Sequence, residues 1–411
     1  MKAKKNFAGV VTVLAVVVVS LMMATNASAQ TESILFSFVD EPPYFPPVMG
    51  PGGVLYGSLV SGQVYQLAPT TGNTWTEAII GSHLPDSELG PPMAIDQDGN
   101  LYGTSNASGG GTVFELSPSL GGWTTTILHS FSLGGADGIY PEGAVILDSA
   151  GNIYGTTAYG GGSSVCQFGF VLNGCGTVFE LSPAVGGGWS EKILHRFVSS
   201  DEGLDGEVPY GPLVMDAEGN LYGTTLDGGY GWGVAYELTP ADGAWKEKIL
   251  HRFSYFNSGT DGKAPSAGLA LDASGNLFGT TGGGGVFSRG TAFELSPTAN
   301  GGWQEKVIHN FGNGINGSPS IEGDGLLVDS ADNLYGTTAN GGRYGRGSVF
   351  QLSPSSSGSW TEKILHSFEG TKGSDGDTPY TGLVFGPSGT LYGVTYYGGT
   401  NNQGTVFEVV P

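Results

Sequence analysis

The 411-residue sequence predicts an all-β fold, a seven-bladed β-propeller of four-stranded antiparallel blades whose last blade is completed by the N-terminal strand. Three observations carry this. Phrases recur along the chain at a long period, each repeat resolves into four short strands, and the two chain ends complement one another.

The first phrase is aliphatic-aromatic-Gly: Leu55-Tyr56-Gly57, Leu101-Tyr102-Gly103, Ile153-Tyr154-Gly155, Leu221-Tyr222-Gly223, Leu277-Phe278-Gly279, Leu334-Tyr335-Gly336 and Leu391-Tyr392-Gly393. These seven copies span 336 residues, a mean period of 56. Each is followed by an aromatic-Glu/Gln-aliphatic phrase, from Tyr65-Gln66-Leu67 to Phe407-Glu408-Val409. Then come a Trp (75, 123, 189, 245, 303, 360) and an apolar-His-x-Phe phrase such as Leu194-His195-Arg196-Phe197. A fixed period of this length marks a repeat architecture, because one such unit cannot bury its apolar face alone.

Within a repeat the punctuation defines the strands. After Pro212 the first strand is expected over 213–216, and a turn at 217–220 leads to the second over 221–225. A Gly-rich loop leads to the third over 234–238, and a Thr-Pro turn with Gly243 leads to the fourth over 245–253. Each stretch is short, alternating and rich in β-branched or aromatic residues, with turn residues between. At the ends, Ile34-Leu35-Phe36-Ser37-Phe38 is a spare fourth strand, and the repeat closing at Val409 lacks one. Pairing the two closes a ring and leaves no unmatched edge. An open β-solenoid does not ask for such complementary ends.

Composition excludes other classes. The 74 glycines have no every-third-residue period, so the chain is not collagen. Hydrophobic residues at 39% supply a core that a disordered acidic tail lacks. Acidic residues outnumber basic ones 37 to 15, and the net charge of −22 argues against nucleic acid or an anionic membrane as partner.

Residues 1–29 read as a signal peptide: Lys2, Lys4 and Lys5, an apolar run over 7–23, and the small-residue site Ala27-Ser28-Ala29. Gln30 then begins the mature protein, and 30–411 is expected as one propeller domain, secreted or periplasmic, with no membrane association after cleavage. No lipid-attachment Cys lies near the cleavage point, and no apolar stretch precedes Pro411, so no anchor is expected. In that oxidising setting Cys166 and Cys175 are expected to form a disulfide. A zinc site would need further ligands, and no His lies nearby.

The repeat wording Asp272-Ala273-Ser274-Gly275-Asn276-Leu277-Phe278-Gly279, followed by Gly290-Thr291-Ala292-Phe293-Glu294-Leu295-Ser296-Pro297, resembles the GloVer tandem repeat of exported bacterial "choice-of-anchor" proteins. The resemblance covers the mature chain. It implies an extracytoplasmic repeat protein and supplies no catalytic residues. Such proteins often carry a C-terminal sorting segment, and none is expected from the residues up to Pro411.

In a propeller, the connection between blades and the loop from second to third strand share one face, and tight hairpin turns occupy the other. Here the turns are monotonous, whereas the loops vary. The interblade loops carry Asp137-Gly138, Asp205-Gly206, Asp261-Gly262, Asn316-Gly317 or Asp375-Gly376, each with a later Pro. The second-to-third loops carry Tyr159, Tyr230, Trp232, Arg289, Arg343, Tyr344, Arg346, Tyr396 and Tyr397 among glycines, and the Cys166–Cys175 insertion. Variation confined to one face of a repeat fold marks a binding surface. The ligand-binding candidates are therefore Tyr159, Asp205, Tyr230, Trp232, Asp261, Arg343, Tyr344, Arg346, Asp375, Tyr396 and Tyr397. Flat rings cover the apolar face of a sugar while carboxylates hold its hydroxyls, so an extracellular glycan is the preferred ligand and a protein the second choice. Asp-Gly and Gly-Gly pairs also serve as plain turn chemistry.

Other groups point less far. His129, His195, His251, His309 and His366 share one repeat position, with His83 shifted by two, and a side chain repeated blade by blade reads as architectural. Glu115, Glu180, Glu237, Glu294 and Glu408 read as solvated strand positions. Asp96-Gln97-Asp98-Gly99-Asn100 begins like a calcium loop but has Ala107 where a Glu ligand belongs, so no metal is assigned. No nucleophile elbow, phosphate loop or zinc-protease motif occurs, and no catalytic residue or cofactor is assigned. The function expected is non-catalytic binding through the loop face. The alternatives are a glycoside hydrolase or lyase with paired loop carboxylates, about 5–10 Å apart, and a purely structural surface protein.

Overall fold

A computed structural model describes residues 32–411, except 73, 82–92, 107–108, 134–135, 163–165, 169–171, 199–204, 255–259, 314–316, 318–324 and 371–374. The expected signal segment, His83, Asn316 and Pro319 lie outside the described residues. Among these, seven four-stranded antiparallel sheets form, and each follows chain order from first to fourth strand except the last. In blade 4 the strands are Val214–Met215, Leu221–Thr225, Val234–Ala241 and Ala244–Arg252. The first strand is shorter than the sequence suggests, because Asp216 already belongs to the turn that follows.

That turn explains the repeated Asp-x-x-x-Asn. Asp216 Oδ1 accepts from the Glu218 and Asn220 N–H groups at 3.0 and 2.9 Å. Its Oδ2 accepts from Asn220 Nδ2 at 2.8 Å and the Tyr222 hydroxyl at 2.9 Å. One carboxylate thereby ties the hairpin to the second strand. Asp96, Asp148 and Asp329 repeat all four bonds. The glycine of the first phrase is steric: a Cβ on Gly155 would come within 2.6 Å of the Phe179 ring on the third strand.

Ring closure follows the expectation. The strand Glu32–Ser37 pairs antiparallel with Thr405–Val409, Glu32 opposite Val409. Seven apolar clusters fill the seven junctions between consecutive blades. Edge-to-face rings recur there, as in Phe197–Tyr236 at 5.1 Å and, across the closure, Phe38–Tyr65 at 5.1 Å. Burial of these faces from water is what joins otherwise independent sheets.

A bulge recurs in the fourth strand. His195 pairs with Val178 and Ile193 with Phe179, so Leu194 is the extra residue. The same shift occurs in blades 1, 2, 4, 5 and 6 and in the N-terminal strand. Four residues apart, Glu191 and His195 would share a face of a regular strand; the extra residue turns His195 to the opposite face. Blades 3 to 6 thus present a Glu to the blade before and a His to the blade after.

Candidate functional site

Two-residue ribbons hold the variable loops on one face. Gly138–Ile139 pairs with Tyr159–Gly160, Gly206–Glu207 with Asp227–Gly228, Gly262–Lys263 with Gly283–Gly284, and Gly376–Asp377 with Tyr397–Gly398. Each ribbon joins an interblade loop to the second-to-third loop of the blade it enters. The residue before the loop proline adopts a left-handed backbone: Tyr140, Val208, Ala264 and Thr378 have φ of 56° to 59°. This is unfavourable for β-branched Val208 and Thr378. Hydrogen bonds on both sides hold it. Val208 N–H donates to Cys175 O at 2.9 Å, and Val208 O accepts from Leu226 N–H at 2.9 Å.

Exposed rings stand between the second and third strands of four consecutive blades, three in turns and Tyr397 on its ribbon. Tyr230 is 59% exposed, Phe287 44%, Tyr344 47% and Tyr397 44%. Arg343 lies over the Tyr344 ring at 5.7 Å, and Arg346 pairs with the Asp377 carboxylate at 2.8 Å. Trp232 is half-buried against the junction of blades 4 and 5, with the Lys263 ammonium 4.5 Å from its ring centroid. Tyr159 is half-buried and meets Tyr140 edge-on at 6.2 Å. Tyr396 packs on Tyr397 at 4.7 Å, on Tyr380 at 5.6 Å and on Tyr44 at 5.8 Å. Tyr44 and Tyr380 were missed by sequence reasoning. Their signal is a repeated Pro-Tyr, at Pro43-Tyr44, Pro209-Tyr210 and Pro379-Tyr380. The two meet because blades 7 and 1 are neighbours in a closed ring. Cys166 and Cys175 are disulfide-bonded, with Cα atoms 5.1 Å apart, and both pack into the junction of blades 3 and 4.

The loop aspartates do not face outward. Asp205, Asp261 and Asp375 have side chains 13%, 5% and 11% exposed. Each accepts from the backbone N–H groups that close its loop: Asp205 from Val198 and Gly206, Asp261 from Ser254 and Gly262, Asp375 from Glu369 and Gly376. Each also turns toward the histidine of its own repeat. Asp205 and Asp261 are thereby engaged separately, each with its own loop and histidine.

A Glu from the neighbouring blade completes each group. The clusters are His129, Asp137 and Glu191; His195, Asp205 and Glu247; His251, Asp261 and Glu305; and His366, Asp375 and Glu32. In each, one nitrogen and two carboxylate oxygens lie within 4.8 Å of one another. His129 Nε2 is 3.7 Å from both carboxylates, and His195 Nε2 is 3.9 Å from Asp205 and 3.5 Å from Glu247. His251 and His366 approach their aspartates more closely, at 3.3 and 3.1 Å. Burial pushes the Glu32, Glu191, Glu247 and Glu305 carboxyls up to about 7. Burial opposes protonation of His129, but the Asp137 and Glu191 carboxylates outweigh it and hold its pKa above the usual imidazole value. At the junction of blades 5 and 6 the sequence has Asn316 at the aspartate position. There His309 Nε2 lies 3.6 Å from Glu362, and burial pulls this histidine down to about 4.

The cluster glutamates, too, escaped sequence reasoning. For Glu191, Glu247 and Glu305 the signal is Trp-x-Glu-x-x-x-His, as in Trp189 to His195, but their partners belong to another repeat. The glutamates expected to be solvated are instead half-buried. Glu115 accepts from Ser117 at 2.8 Å, Glu180 from Ser182 at 3.0 Å and Glu294 from Ser296 at 3.1 Å. The strand places residue i+2 on the same side, within reach of the carboxylate.

Among the described residues no helix is long and apolar enough to cross a membrane. A family model described as the Gloeobacter/Verrucomicrobia repeat matches residues 42–254 and 226–411. No curated protein matches the chain. Solved structures are similar in fold at low identity. A catalytically inactive virginiamycin B lyase from Staphylococcus aureus, crystallised with quinupristin, has a TM-score of 0.55 at 13% identity, covering 93% of this chain and 99% of that one. A protein from Lactobacillus plantarum has 0.55 at 14%, covering 87% and 99%. The extracellular domain of a hybrid two-component system from B. thetaiotaomicron has 0.57 at 10%, covering 92% and 39%. At these identities the likeness is one of fold.

Proposed function

The chain belongs to the Gloeobacter/Verrucomicrobia repeat family, and from that premise we propose that it is an exported, non-catalytic propeller that binds an extracellular glycan through its loop face. One observation carries this reading. Tyr230, Phe287, Tyr344 and Tyr397 stand exposed between the second and third strands of blades 4 to 7. A folded protein seldom leaves a row of aromatic side chains in water without a use for it. Rings on neighbouring blades suit a chain of sugar units, each ring covering the apolar face of one unit. Arg343 and the Tyr44–Tyr380–Tyr396 group flank this arc and supply hydrogen-bond donors. The disulfide fits an oxidising compartment, as export would provide.

A glycan array probed with the purified mature protein tests the proposal. Binding to at least one glycan class is expected, and Tyr230→Ala and Tyr344→Ala should each weaken it about tenfold, a loss of about 1.4 kcal/mol. Absence of binding to every glycan, or binding untouched by both substitutions, removes this ligand class.

A further inference from the structure

The interblade clusters raise a question independent of what the loop face binds. Each gathers one imidazole and two carboxylates, a net charge of −2 when the ring is neutral. Several polar atoms there have neither solvent nor a hydrogen-bond partner: His129 Nε2, His195 Nε2, and one oxygen each of Glu32, Glu191, Glu247 and Glu305. Leaving such atoms unpaired is costly, so something should lie between them.

We propose that the four His-Asp-Glu clusters are divalent-cation sites, each taking one first-row transition ion of the zinc class between neighbouring blades. The geometry suits it. Ligands about 2.0–2.2 Å from a tetrahedral ion stand about 3.4 Å apart. Six of the eight histidine-to-carboxylate separations run from 3.1 to 3.9 Å, on both sides of that value, and the other two, His251 to Glu305 and His366 to Glu32, lie within 4.8 Å. Nitrogen-plus-oxygen donors favour a zinc-class ion, whereas calcium asks for six or more oxygens. The aspartate is already oriented as an outer shell would orient it: its oxygens accept from loop N–H groups, at 2.7 and 2.9 Å for Asp205. A water molecule carried in with the ion would complete the coordination. An ion so placed ties the fourth strand of one blade to that of the next.

The repeat supplies its own negative controls. At the junction of blades 7 and 1, Phe36 stands where the histidine belongs, and at that of blades 1 and 2, Gly81 and Thr125 replace His and Glu. At the junction of blades 5 and 6 Asn316 replaces the aspartate. Among the described residues four sets are complete, and these predict a stoichiometry.

The mature protein, stripped with a chelator, is mixed with excess zinc chloride, gel-filtered and analysed for metal by mass spectrometry, with thermal melting in parallel. Four zinc ions per chain and a raised melting temperature are expected. Glu247→Gln, nearly isosteric, should lower the count to three without lowering the melting temperature of the metal-free protein. Glu191→Gln repeats the test at the neighbouring cluster and guards against a folding defect in the first variant. Glu115→Gln, outside the clusters, should keep all four. No retained zinc means that the clusters share protons instead, and overturns the proposal. Retention unchanged by both Glu247→Gln and Glu191→Gln assigns the metal to surface carboxylates and overturns it equally.

Discussion

Asp216 shows how much one side chain carries in this fold: two backbone and two side-chain donors converge on its carboxylate. Burial raises its pKa, but the bonds from Asn220, Tyr222 and Glu218 outweigh that, and the net shift is downward. Asp96, Asp148 and Asp329 are lowered for the same reasons. A carboxylate whose folded pKa lies below its unfolded value adds stability above the unfolded value and loses it as pH falls through the folded one. Stability should therefore drop below about pH 4 through these four turns together, as denaturant titrations across pH 2.5–6 will register. Asp216→Ala at pH 7 should cost about 1.5–3 kcal/mol, the usual worth of hydrogen bonds to a charged group, and should flatten part of that acid dependence. A wild-type acid profile in the variant would separate the turn from the effect. The turn was legible in sequence as punctuation, but the tyrosine hydroxyl that reaches back to it was not. Six residues separate Tyr222 from Asp216, and only the hairpin folds them together.

The fourth strand is the element on which the blades depend. Its bulge at Leu194 decides that Glu191 faces one neighbour and His195 the other. Alternation read from sequence places both on one side, which is why the cluster glutamates were missed. The N-terminal strand obeys the same rule, and its Glu32 reaches His366 and Asp375 of blade 6. Ile34, Leu35, Phe36 and Phe38 pack into the two closing junctions. Removing residues 32–38 should cost roughly 6 kcal/mol or more at about 1.5–3 kcal/mol per buried apolar side chain. Calorimetry should show a fall in melting temperature of about 7 °C or more. A fall no larger than that of a surface substitution would contradict the closure. The disulfide belongs to this scale too. It closes a short loop, so Cys166→Ser with Cys175→Ser should cost about 2–3 kcal/mol. The far-UV circular dichroism should keep its β signature, since the insertion lies outside the seven sheets.

At the scale of the whole molecule the ring brings together what the chain separates. Tyr44 precedes blade 1 and Tyr380 and Tyr396 belong to blade 7, yet their rings pack within 5.6 to 6.3 Å of one another. The arc of exposed rings likewise exists only because blades 4 to 7 stand side by side. Because Glu32 lies opposite Val409, the ends can be joined and new ends opened in a hairpin turn within another blade. Such a permutant should melt within a few degrees of the parent; a permutant that fails to fold would mean that closure needs free ends. Seven repeats, four strands in each, the complementary ends and the cysteine pair were all present in the sequence, because periodicity, turn chemistry and spacing are local properties of a chain. The loop aspartates were present too, but their orientation was not: backbone donors and the histidine turn them inward, leaving the outward role to aromatic residues. Which residues of different blades meet was decided by tertiary structure alone. A one-residue bulge reverses a face, and closure of the ring makes neighbours of residues more than three hundred positions apart.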